Sequence, residues 1–257
     1  MKIATFNVNS VRARLPVLTE WLQKVSPDVV ALQETKVEDD KFPREDLEAL
    51  GYQIVVYGQQ KYNGVALLSK TTIEDVSMGF DDPDWPQDCR IIRGRINGVS
   101  IINTYVPNGS AVGSEKFAYK LKWFERLGRM IGETADPSDR VLWLGDINVA
   151  PTPDDVFDPV KLEGSVCFTQ EEKDALAKLK EWGWTDCFRL YNQDAGQFSY
   201  WEYFLPNGFK RNLGWRIDHV YASPGLLAAS NSCEIDKDPR GWERPSDHTP
   251  VVATFSL

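Results

Sequence analysis

The chain of 257 residues is 42% hydrophobic and 26% charged, which is typical of one large or two small globular domains and excludes disordered or fibrous protein. No apolar stretch approaches the roughly 20 residues of a membrane span, and the N-terminal run Ile3–Phe6 is too short and too polar for a secretory signal. The net charge of -9 argues against a protein held on nucleic acid by bulk charge, although a local basic surface on an acidic body remains compatible with it.

Short runs of β-branched and aromatic residues predict strands along the whole chain. In order they are Lys2–Phe6, Val29–Leu32, Tyr52–Tyr57, Gly64–Leu68, Arg90–Ile96, Val99–Val106, Val141–Leu144, Phe198–Tyr203, Ile217–Ala222 and Pro250–Phe255. Helical periodicity predicts helices at Leu15–Val25, Glu115–Ile131 and Glu171–Trp182. Asn97-Gly98 predicts a tight hairpin turn, because both residues tolerate a positive φ.

The balance of these elements predicts the fold class. Strands outnumber helices, and neither Gly-x-Gly-x-x-Gly nor Gly-x-x-x-x-Gly-Lys occurs, so a doubly wound nucleotide-binding fold is disfavoured. No repeat or linker-like segment divides the chain. We therefore expect one α/β (α+β) domain over residues 1–257, in which two mixed β-sheets pack face to face with helices outside.

The cysteines and histidines restrict the metal chemistry. The four cysteines are Cys89, Cys167, Cys187 and Cys233. They lie far apart without a Cys-x-x-Cys pair, so we expect reduced thiols in a cytoplasmic protein rather than a zinc ribbon or a disulfide framework. The only histidines, His219 and His248, cannot build a three-histidine zinc site. A metal would therefore need oxygen ligands, which favours Mg²⁺, Mn²⁺ or Ca²⁺.

Polar side chains stand at the ends of several apolar strands. They are Asn7, Glu34, Asn108, Asp146, Asn148, Asp218 and His219, with Asp247 and His248 just before the last strand. Any one of them alone typically caps a turn. If they converge on one sheet edge, they form an oxygen-rich cluster with one imidazole. That composition predicts a site that binds a hard cation and hydrolyses phosphate esters.

An ordered set of motifs runs through the same segments. They are Lys2–Ser10, Leu32–Lys36, Tyr62–Ala66, Asn103–Gly109, Gly145–Asn148, Leu213–His219 and Ser246–His248. Together they resemble the exonuclease III family of abasic-site endonucleases, within the larger endonuclease/exonuclease/phosphatase superfamily. The resemblance covers essentially the whole chain and implies a deoxyribonuclease-like, four-layered sandwich. Ile147 departs from the usual Phe or Met, an apolar exchange that leaves the chemistry intact.

The resemblance also implies a metal site. Glu34 would be the principal Mg²⁺ ligand, with Asn7 beside it and Mn²⁺ as an alternative ion. Asp247 would serve a second metal or the hydrogen-bond network. Because Mg²⁺ typically uses one or two carboxylates together with water and phosphate, we expect few protein ligands.

Catalytic roles follow from the same resemblance. Asp146 would orient or deprotonate the attacking water, and Asn148 would position that water or the phosphate. His248 would donate to the phosphate oxygen on which charge accumulates, while Asp218 accepts from its other ring nitrogen. Tyr105 would donate its hydroxyl hydrogen to the transition state.

For the substrate, the resemblance implies a pocket for a flipped, base-less sugar with an apolar wall of Tyr200, Trp215 and Ile217. Such a pocket selects abasic DNA, because the missing base removes part of the cost of unstacking. Further expected DNA contacts are Lys36, Tyr62, Arg90, Asn108, Trp201 and Asn212. We interpret His219 as a packing or surface residue. The basic residues that we assign to a solvated helix face are Lys116, Lys120, Lys122, Arg126 and Arg129.

We therefore expect a Mg²⁺-dependent phosphodiesterase of base-excision repair that cuts 5′ to abasic sites, leaves a 3′-hydroxyl and trims 3′ ends. Its partner would be double-stranded DNA with abasic sites or 3′ ends, and it would act as a monomer away from membranes. The same hydrolytic core acting on a small phosphoester, such as an inositol phosphate, is the alternative. A catalytically silent scaffold is disfavoured, because the acidic residues and His248 are all present.

Overall fold

Two six-stranded β-sheets lie face to face at the centre of the structure, a computed structural model that describes residues 1–257. The strands are β1 (Lys2–Asn7), β2 (Val29–Gln33), β3 (Gln53–Tyr57), β4 (Val65–Ser69), β5 (Glu74–Met78), β6 (Ile91–Ile96), β7 (Val99–Tyr105), β8 (Val141–Asp146), β9 (Thr185–Asp186), β10 (Asp218–Ala222), β11 (Ser230–Ile235) and β12 (Val251–Phe255). The helices are α1 (Leu15–Val25), α2 (Arg44–Glu48), α3 (Glu115–Thr134), α4 (Pro159–Leu162), α5 (Gln170–Lys180), α6 (Cys187–Tyr191) and α7 (Pro224–Leu227). None of the helices combines the length and the hydropathy that a membrane crossing requires.

Both sheets are mixed. The first sheet has the order β11-β12-β1-β2-β4-β3, and the second has the order β5-β6-β7-β8-β10-β9. β1 and β2 run parallel in the first sheet, and β7 and β8 run parallel in the second. Because parallel strands end at the same edge, Asn7 lies opposite Gln33 and Tyr105 lies opposite Asp146. The chain segments that follow these strands are thereby brought together.

Apolar side chains fill the spaces between the layers. One cluster, which includes Ile3, Leu67 and Leu144, lies between the two sheets. A second cluster packs α1 on the first sheet, and a third packs α3 and α5 on the second. Strands buried on both faces are near-continuous apolar runs, which explains the strong strand signals in the sequence. The expected four-layered sandwich of sheets and helices is confirmed.

Short-range signals determine the β6–β7 hairpin and the start of α5. Asn97 and Gly98 have φ values of 50° and 78°, so the Asn-Gly turn predicted from the sequence is confirmed. The hydroxyl of Thr169 accepts from the backbone N–H of Glu172, and the Glu172 carboxylate accepts from the backbone N–H of Thr169. This reciprocal pair satisfies N–H groups that would otherwise lack partners at the start of α5.

Two aspects of the strand prediction are wrong. The segment Phe198–Tyr203 forms no strand, because only Tyr200 makes isolated bridges, to Trp215 and to His248. The sequence pattern also missed β5, β9 and β11. All three are edge strands; β9 has only two residues, and β5 and β11 are largely polar, so they lack the alternation of apolar and polar residues by which strands are recognised.

Candidate active site

Three reactive side chains from distant parts of the sequence meet at one edge of the sandwich. Glu34 follows β2, Asp146 ends β8, and His248 precedes β12. One ligand atom from each lies within 4.8 Å of the others. Asp146 and His248 are buried, whereas 15% of the Glu34 side chain is exposed. The polar strand ends thus converge, as the sequence predicts.

Asn7, the last residue of β1, holds two of these carboxylates at a fixed separation. Its amide nitrogen donates to Glu34 Oε1 at 2.8 Å and to Asp146 Oδ2 at 2.9 Å. Its amide oxygen accepts from the backbone N–H of Asn9 at 3.0 Å. In this orientation Asn7 positions the two carboxylates, and it would have to turn its oxygen towards them to serve as a ligand itself.

Glu34 presents an ionised carboxylate to the site. Its φ of 51° is uncommon for a residue other than glycine. Lys36 Nζ lies 2.7 Å from Glu34 Oε2 and donates to Asn9 Oδ1. Burial alone would raise the pKa of Glu34, but the charge of Lys36 and hydrogen bonds from Asn7 and Lys36 outweigh it and lower the pKa. Lys36, which we expected on DNA, therefore lies within the acidic cluster.

Asp146 is the most deeply buried of these carboxylates. Burial raises its pKa above the usual range, and the neighbouring charges of Asp218 and Glu34 add to this effect. The positive charge of His248 works in the opposite direction. Positive charge beyond that of His248 would therefore favour the ionised form of Asp146.

His248 is held by a chain of hydrogen bonds. Its Nδ1–H donates to Asp218 Oδ2 at 2.9 Å, and the same oxygen accepts from the hydroxyl of Ser199 at 2.7 Å. Its Nε2 lies 3.8 Å from Asp146 Oδ2. Burial alone would lower the pKa of His248, but the carboxylates of Asp218 and Asp146 outweigh it and raise the pKa to about 10. At neutral pH the ring is a charged donor.

Asn148 and Asn108 form an amide pair beside Asp146. The backbone N–H of Asn148 donates to Asp146 Oδ1 at 3.0 Å, in a residue whose φ is 53°. Its side chain donates to the carbonyl oxygen of Val106 at 3.0 Å and accepts from Asn108 Nδ2 at 3.0 Å. These contacts fix the rotamer of Asn148 on the floor of the site.

Asp247 borders the site without joining the three-residue cluster. Its Oδ1 accepts from Asn9 Nδ2 at 2.9 Å, and its carbonyl oxygen accepts from the backbone N–H of Trp201. These contacts give Asp247 a place in the hydrogen-bond network. That Asp247 binds a second metal ion remains a prediction.

Tyr105 supplies a neutral hydroxyl. Burial, together with the charges of Glu34 and Asp146, raises its pKa well above the usual value. The guanidinium carbon of Arg90 lies 4.6 Å from the centre of its ring. Arg90 is also paired with Asp88 at 2.9 Å and only 15% of its side chain is exposed, so it orients Tyr105 from within the protein.

These groups line a cleft of about 380 Å³. Tyr200, Trp215 and Ile217 line the same cleft, and the Tyr200 ring lies 4.7 Å from the His248 ring between centroids. A larger groove of about 690 Å³ lies between α3 and α5, but none of the strand-end residues lines it. The smaller cleft is therefore the candidate site.

The remaining residues predicted to contact DNA differ in accessibility. The side chain of Tyr62 is 68% exposed. Asn212 is exposed, but its amide donates to the carbonyl oxygen of Gly196 and accepts from the indole N–H of Trp201. Trp201 is fully buried and packs on Phe209, with ring centroids 4.9 Å apart. The prediction that the Trp201 side chain contacts DNA is therefore wrong, because it belongs to the interior of the loop.

A buried charge network lies beneath the pocket wall. Arg216 donates from Nε to Asp155 Oδ1 at 2.6 Å and from Nη1 to Asp186 Oδ2 at 2.8 Å. Fully buried His219 donates from Nε2 to the carbonyl oxygen of Val149 at 2.9 Å. His219 is thus a packing residue and not a surface residue. The network anchors the segment whose outer side chains border the cleft.

Sequence reasoning assigned no role to several residues of the site. Ser199 bonds Asp218, and Val166, Cys167 and Glu202 line the cleft. Asn9 lies within a recognised motif, so its position could have been inferred. Val166 and Cys167 belong to a loop without any recognised motif, and no signal in the sequence identifies them.

The donor set of the site fits a hard divalent cation. The carboxylates of Glu34 and Asp146 provide oxygen ligands, and these are the donors that Mg²⁺ and Mn²⁺ prefer. Asp218 adds a third nearby carboxylate, with only His248 and Lys36 as positive partners. Oδ1 of Asp218 is buried without a hydrogen-bond partner. A cation would add positive charge beside Asp146, whose pKa is raised, and would favour its ionised form.

Comparison with known proteins extends this geometric description. Residues 4–248 match the model of the Endonuclease/Exonuclease/phosphatase family. The chain is 35% identical to exodeoxyribonuclease III of Haemophilus influenzae over 99% of its own length and 100% of that protein. An AP endonuclease structure from Archaeoglobus fulgidus superposes with a TM-score of 0.97 at 43% identity, and both chains are covered completely. A Neisseria 3′ phosphatase bound to a product DNA hairpin gives a TM-score of 0.95 at 38% identity, again over both whole chains.

Proposed function

The chain belongs to the endonuclease/exonuclease/phosphatase family, and from this premise we propose that it is a Mg²⁺-dependent DNA repair phosphodiesterase that incises 5′ to abasic sites. Incision would leave a 3′-hydroxyl, and the same site would act on blocked or unblocked 3′ ends. The meeting of Glu34, Asp146 and His248 on the floor of one cleft is the observation that carries the proposal.

In phosphodiester hydrolysis, Asp146, His248 and Tyr105 would have complementary roles. Asp146 accepts a proton from the water that attacks phosphorus, and the bond from phosphorus to the upstream 3′ oxygen breaks. That oxygen takes up a proton and leaves as the 3′-hydroxyl. His248 donates to a phosphate oxygen on which negative charge grows, and the neutral hydroxyl of Tyr105 donates beside it. Preorganised donors of this kind stabilise a transition state because they need no reorganisation.

Glu34 would be the principal ligand of the metal, while Asn7 keeps its carboxylate at a fixed separation from that of Asp146, the proton acceptor. A bound Mg²⁺ would polarise the phosphate and lower the pKa of a coordinated water. Mn²⁺ would be accepted in place of Mg²⁺, because both are hard cations that bind oxygen.

The cleft supports the choice of a base-less sugar as substrate. Tyr200, Trp215 and Ile217 offer apolar surface next to the reactive groups, within about 380 Å³. A sugar without a base fits such a space and loses little stacking when it leaves the duplex. Exposed Tyr62 would contact the flanking duplex.

A monomer in a reducing cytoplasm is the form in which we propose that the protein acts. All four cysteines are free and buried, which is compatible with a reducing compartment. Sedimentation at the mass of one 29.2 kDa chain, with no change on adding reductant, is the expected result. A concentration-independent dimer would contradict it.

Substrate comparison tests the proposal. Equal amounts of wild-type protein are given a duplex with one abasic site, the same duplex with an intact base, a duplex with a 3′-phosphate, and an inositol phosphate, each with Mg²⁺. We expect rapid incision at the abasic site, slower release from the 3′ end, and no turnover of the small ester. Preferred turnover of the inositol phosphate would overturn the proposal in favour of a small-molecule phosphatase.

A further inference from the structure

Lys120 lies inside the protein, where a solvated position on helix α3 was expected. Its side chain is fully buried. Its ammonium donates to the carbonyl oxygen of Asn148 at 2.6 Å and to the carbonyl oxygen of Asn108 at 3.1 Å, and it forms an ion pair with Glu172. The expectation of a solvated Lys120 is therefore wrong. The aliphatic part of the Lys120 side chain points inward, beneath the loops that carry the cleft residues Asn108 and Asn148.

Glu172, the fully buried partner, holds a third loop. Its Oε1 accepts from the backbone N–H of Cys167 at 3.0 Å. Its Oε2 accepts from the backbone N–H and the hydroxyl of Thr169, at 3.1 Å and 2.8 Å. One ion pair thus joins the segments after β7 and β8 to the segment before α5. A buried charge is tolerated when hydrogen-bond partners surround it, and both Lys120 and Glu172 have such partners.

The three loops held by this pair meet at the catalytic groups. Asn108 Nδ2 donates to Asn148 Oδ1 at 3.0 Å and lies 3.4 Å from Cys167 Sγ. The backbone N–H of Asn148 donates to Asp146 Oδ1 at 3.0 Å. Asn148 and Cys167 both have positive φ values, 53° and 70°; Asn adopts this conformation readily, whereas for Cys it is uncommon. A shift of the buried pair would therefore move the groups around Asp146.

We propose that Lys120 and Glu172 are positioning residues of this enzyme: a buried ion pair that aligns Asn108, Asn148 and the backbone around Asp146 for attack on the phosphate. The inference rests on the proposed function and adds residues that touch neither metal nor DNA. The alternative is a pair that only stabilises the fold. A variant that regains stability distinguishes the two roles. Its activity should return if the pair only stabilises the fold, and should stay low if the pair positions the catalytic groups.

Removing the two charges in steps separates these roles. Lys120→Met leaves Glu172 buried without its partner and is expected to lower the melting temperature strongly. In the double variant Lys120→Met/Glu172→Gln both charges are gone, and Gln still accepts from the helix start in the capping box. We expect the double variant to melt within roughly 3 °C of wild type.

Steady-state kinetics on the abasic duplex then gives the decisive measurement. We expect kcat of the double variant to stay roughly 100-fold below wild type, because misplacement of about 1 Å has such an effect. KM should change far less than kcat, since neither Lys120 nor Glu172 reaches the DNA. Lys120→Arg, which keeps the charge and the donors, should recover part of kcat without a comparable gain in stability.

Arg126→Met is the matched control. Arg126 lies on the same helix, is 12% exposed, and bonds Asp82 at 3.2 Å and the carbonyl oxygen of Phe80 at 3.0 Å, away from the cleft. This variant should lose stability and retain the kcat of wild type.

Two different failures remain distinguishable. An active wild type together with a stable double variant of wild-type kcat would overturn the positioning role alone. A wild-type protein inactive on every DNA substrate would overturn the proposed function, and the inference with it.

Discussion

Asp146 and Asp218 lie directly opposite each other on the antiparallel strands β8 and β10, yet their carboxylates have different hydrogen-bond partners. Asp218 accepts from Nδ1 of His248 at 2.9 Å, whereas Asp146 lies 3.8 Å from Nε2 of the same ring and bonds Asn7. One imidazole therefore stands between two carboxylates, one of which accepts its Nδ1 hydrogen. In the proposed reaction, Asp218 would support the charge of His248 and Asp146 would be next to the attacking water.

Loss of Asp218 should move the alkaline limit of activity. The carboxylates around His248 raise its pKa to about 10, and activity should fall as pH rises through that pKa because the ring then loses its donated proton. In Asp218→Asn this support is lost, so the pKa falls and the alkaline limb of kcat shifts towards neutral pH. We also expect kcat at its optimum to fall roughly 100-fold. An alkaline limb that coincides with wild type would contradict this role.

The charge network under the pocket wall should give acid-dependent stability. Burial alone would raise the pKa of Asp186, but Arg216 outweighs it and holds the pKa well below its usual range. The unfolded chain then binds protons first as pH falls, so this contribution is complete above about pH 5 and is lost progressively below about pH 4.

Asp186→Asn should therefore lower the free energy of unfolding by roughly 3 kcal/mol at pH 7. The difference from wild type should shrink as pH falls towards 2, because Asp186 of the unfolded wild-type chain takes up a proton while Asp186 of the folded chain stays ionised. Urea unfolding at several pH values measures this. A difference that stays constant between about pH 7 and pH 3 would refute the assignment.

Tyr62 should contribute to DNA binding without contributing to the fold, since 68% of it is exposed. We expect Tyr62→Ala to weaken binding of an abasic duplex by about 1–2 kcal/mol through lost stacking, with an unchanged melting temperature. Tyr191→Ala is the matched control, because Tyr191 is 44% exposed on α6 and bonds Ser230. Fluorescence anisotropy measures both; equal affinities of the two variants would exclude the contact.

Gly145 should tolerate no side chain. Its φ is 144°, and an added Cβ would lie 1.9 Å from the carbonyl oxygen of Thr104 on β7. Gly145→Ala should therefore cost about 3 kcal/mol or more of folding free energy and displace Asp146. In contrast, Gly132→Ala in α3 meets nothing within 4 Å and should stabilise by about 0.5–1 kcal/mol. Chemical unfolding of both variants tests this; equal stabilities would contradict it.

Sequence patterns predicted those parts of the fold that depend on interactions between residues close together in the chain. The apolar runs of the central strands and the Asn97-Gly98 turn predicted both sheets and one hairpin, because burial on two faces and positive φ restrict which residues occur. The same apolar runs placed Glu34 and Asp146 at strand ends, whereas their meeting at one edge was a hypothesis that rested on the resemblance.

Tertiary context decided the rest. Lys120 looks like any basic residue of an amphipathic helix, and only the fold shows the buried carboxylate that it meets. Trp201 follows Tyr200, which the resemblance places in the pocket wall, but the loop turns the indole of Trp201 inward. The edge strand β5 carries mostly polar residues, so its pairing with β6 leaves no local trace in the sequence.

The central proposal is that Glu34 holds a divalent ion beside Asp146 and His248, and that the cleft uses this ion to cut DNA. Its most direct test is incision of a 5′-labelled abasic duplex by wild type and Glu34→Gln, with Mg²⁺, with a chelator, and with Mg²⁺ restored. We predict that the first product ends in a 3′-hydroxyl at the abasic site, with complete loss in chelator, recovery with Mg²⁺, and a rate roughly 10³-fold lower in Glu34→Gln. Undiminished cutting by folded Glu34→Gln, or by wild type in the chelator, would contradict the account.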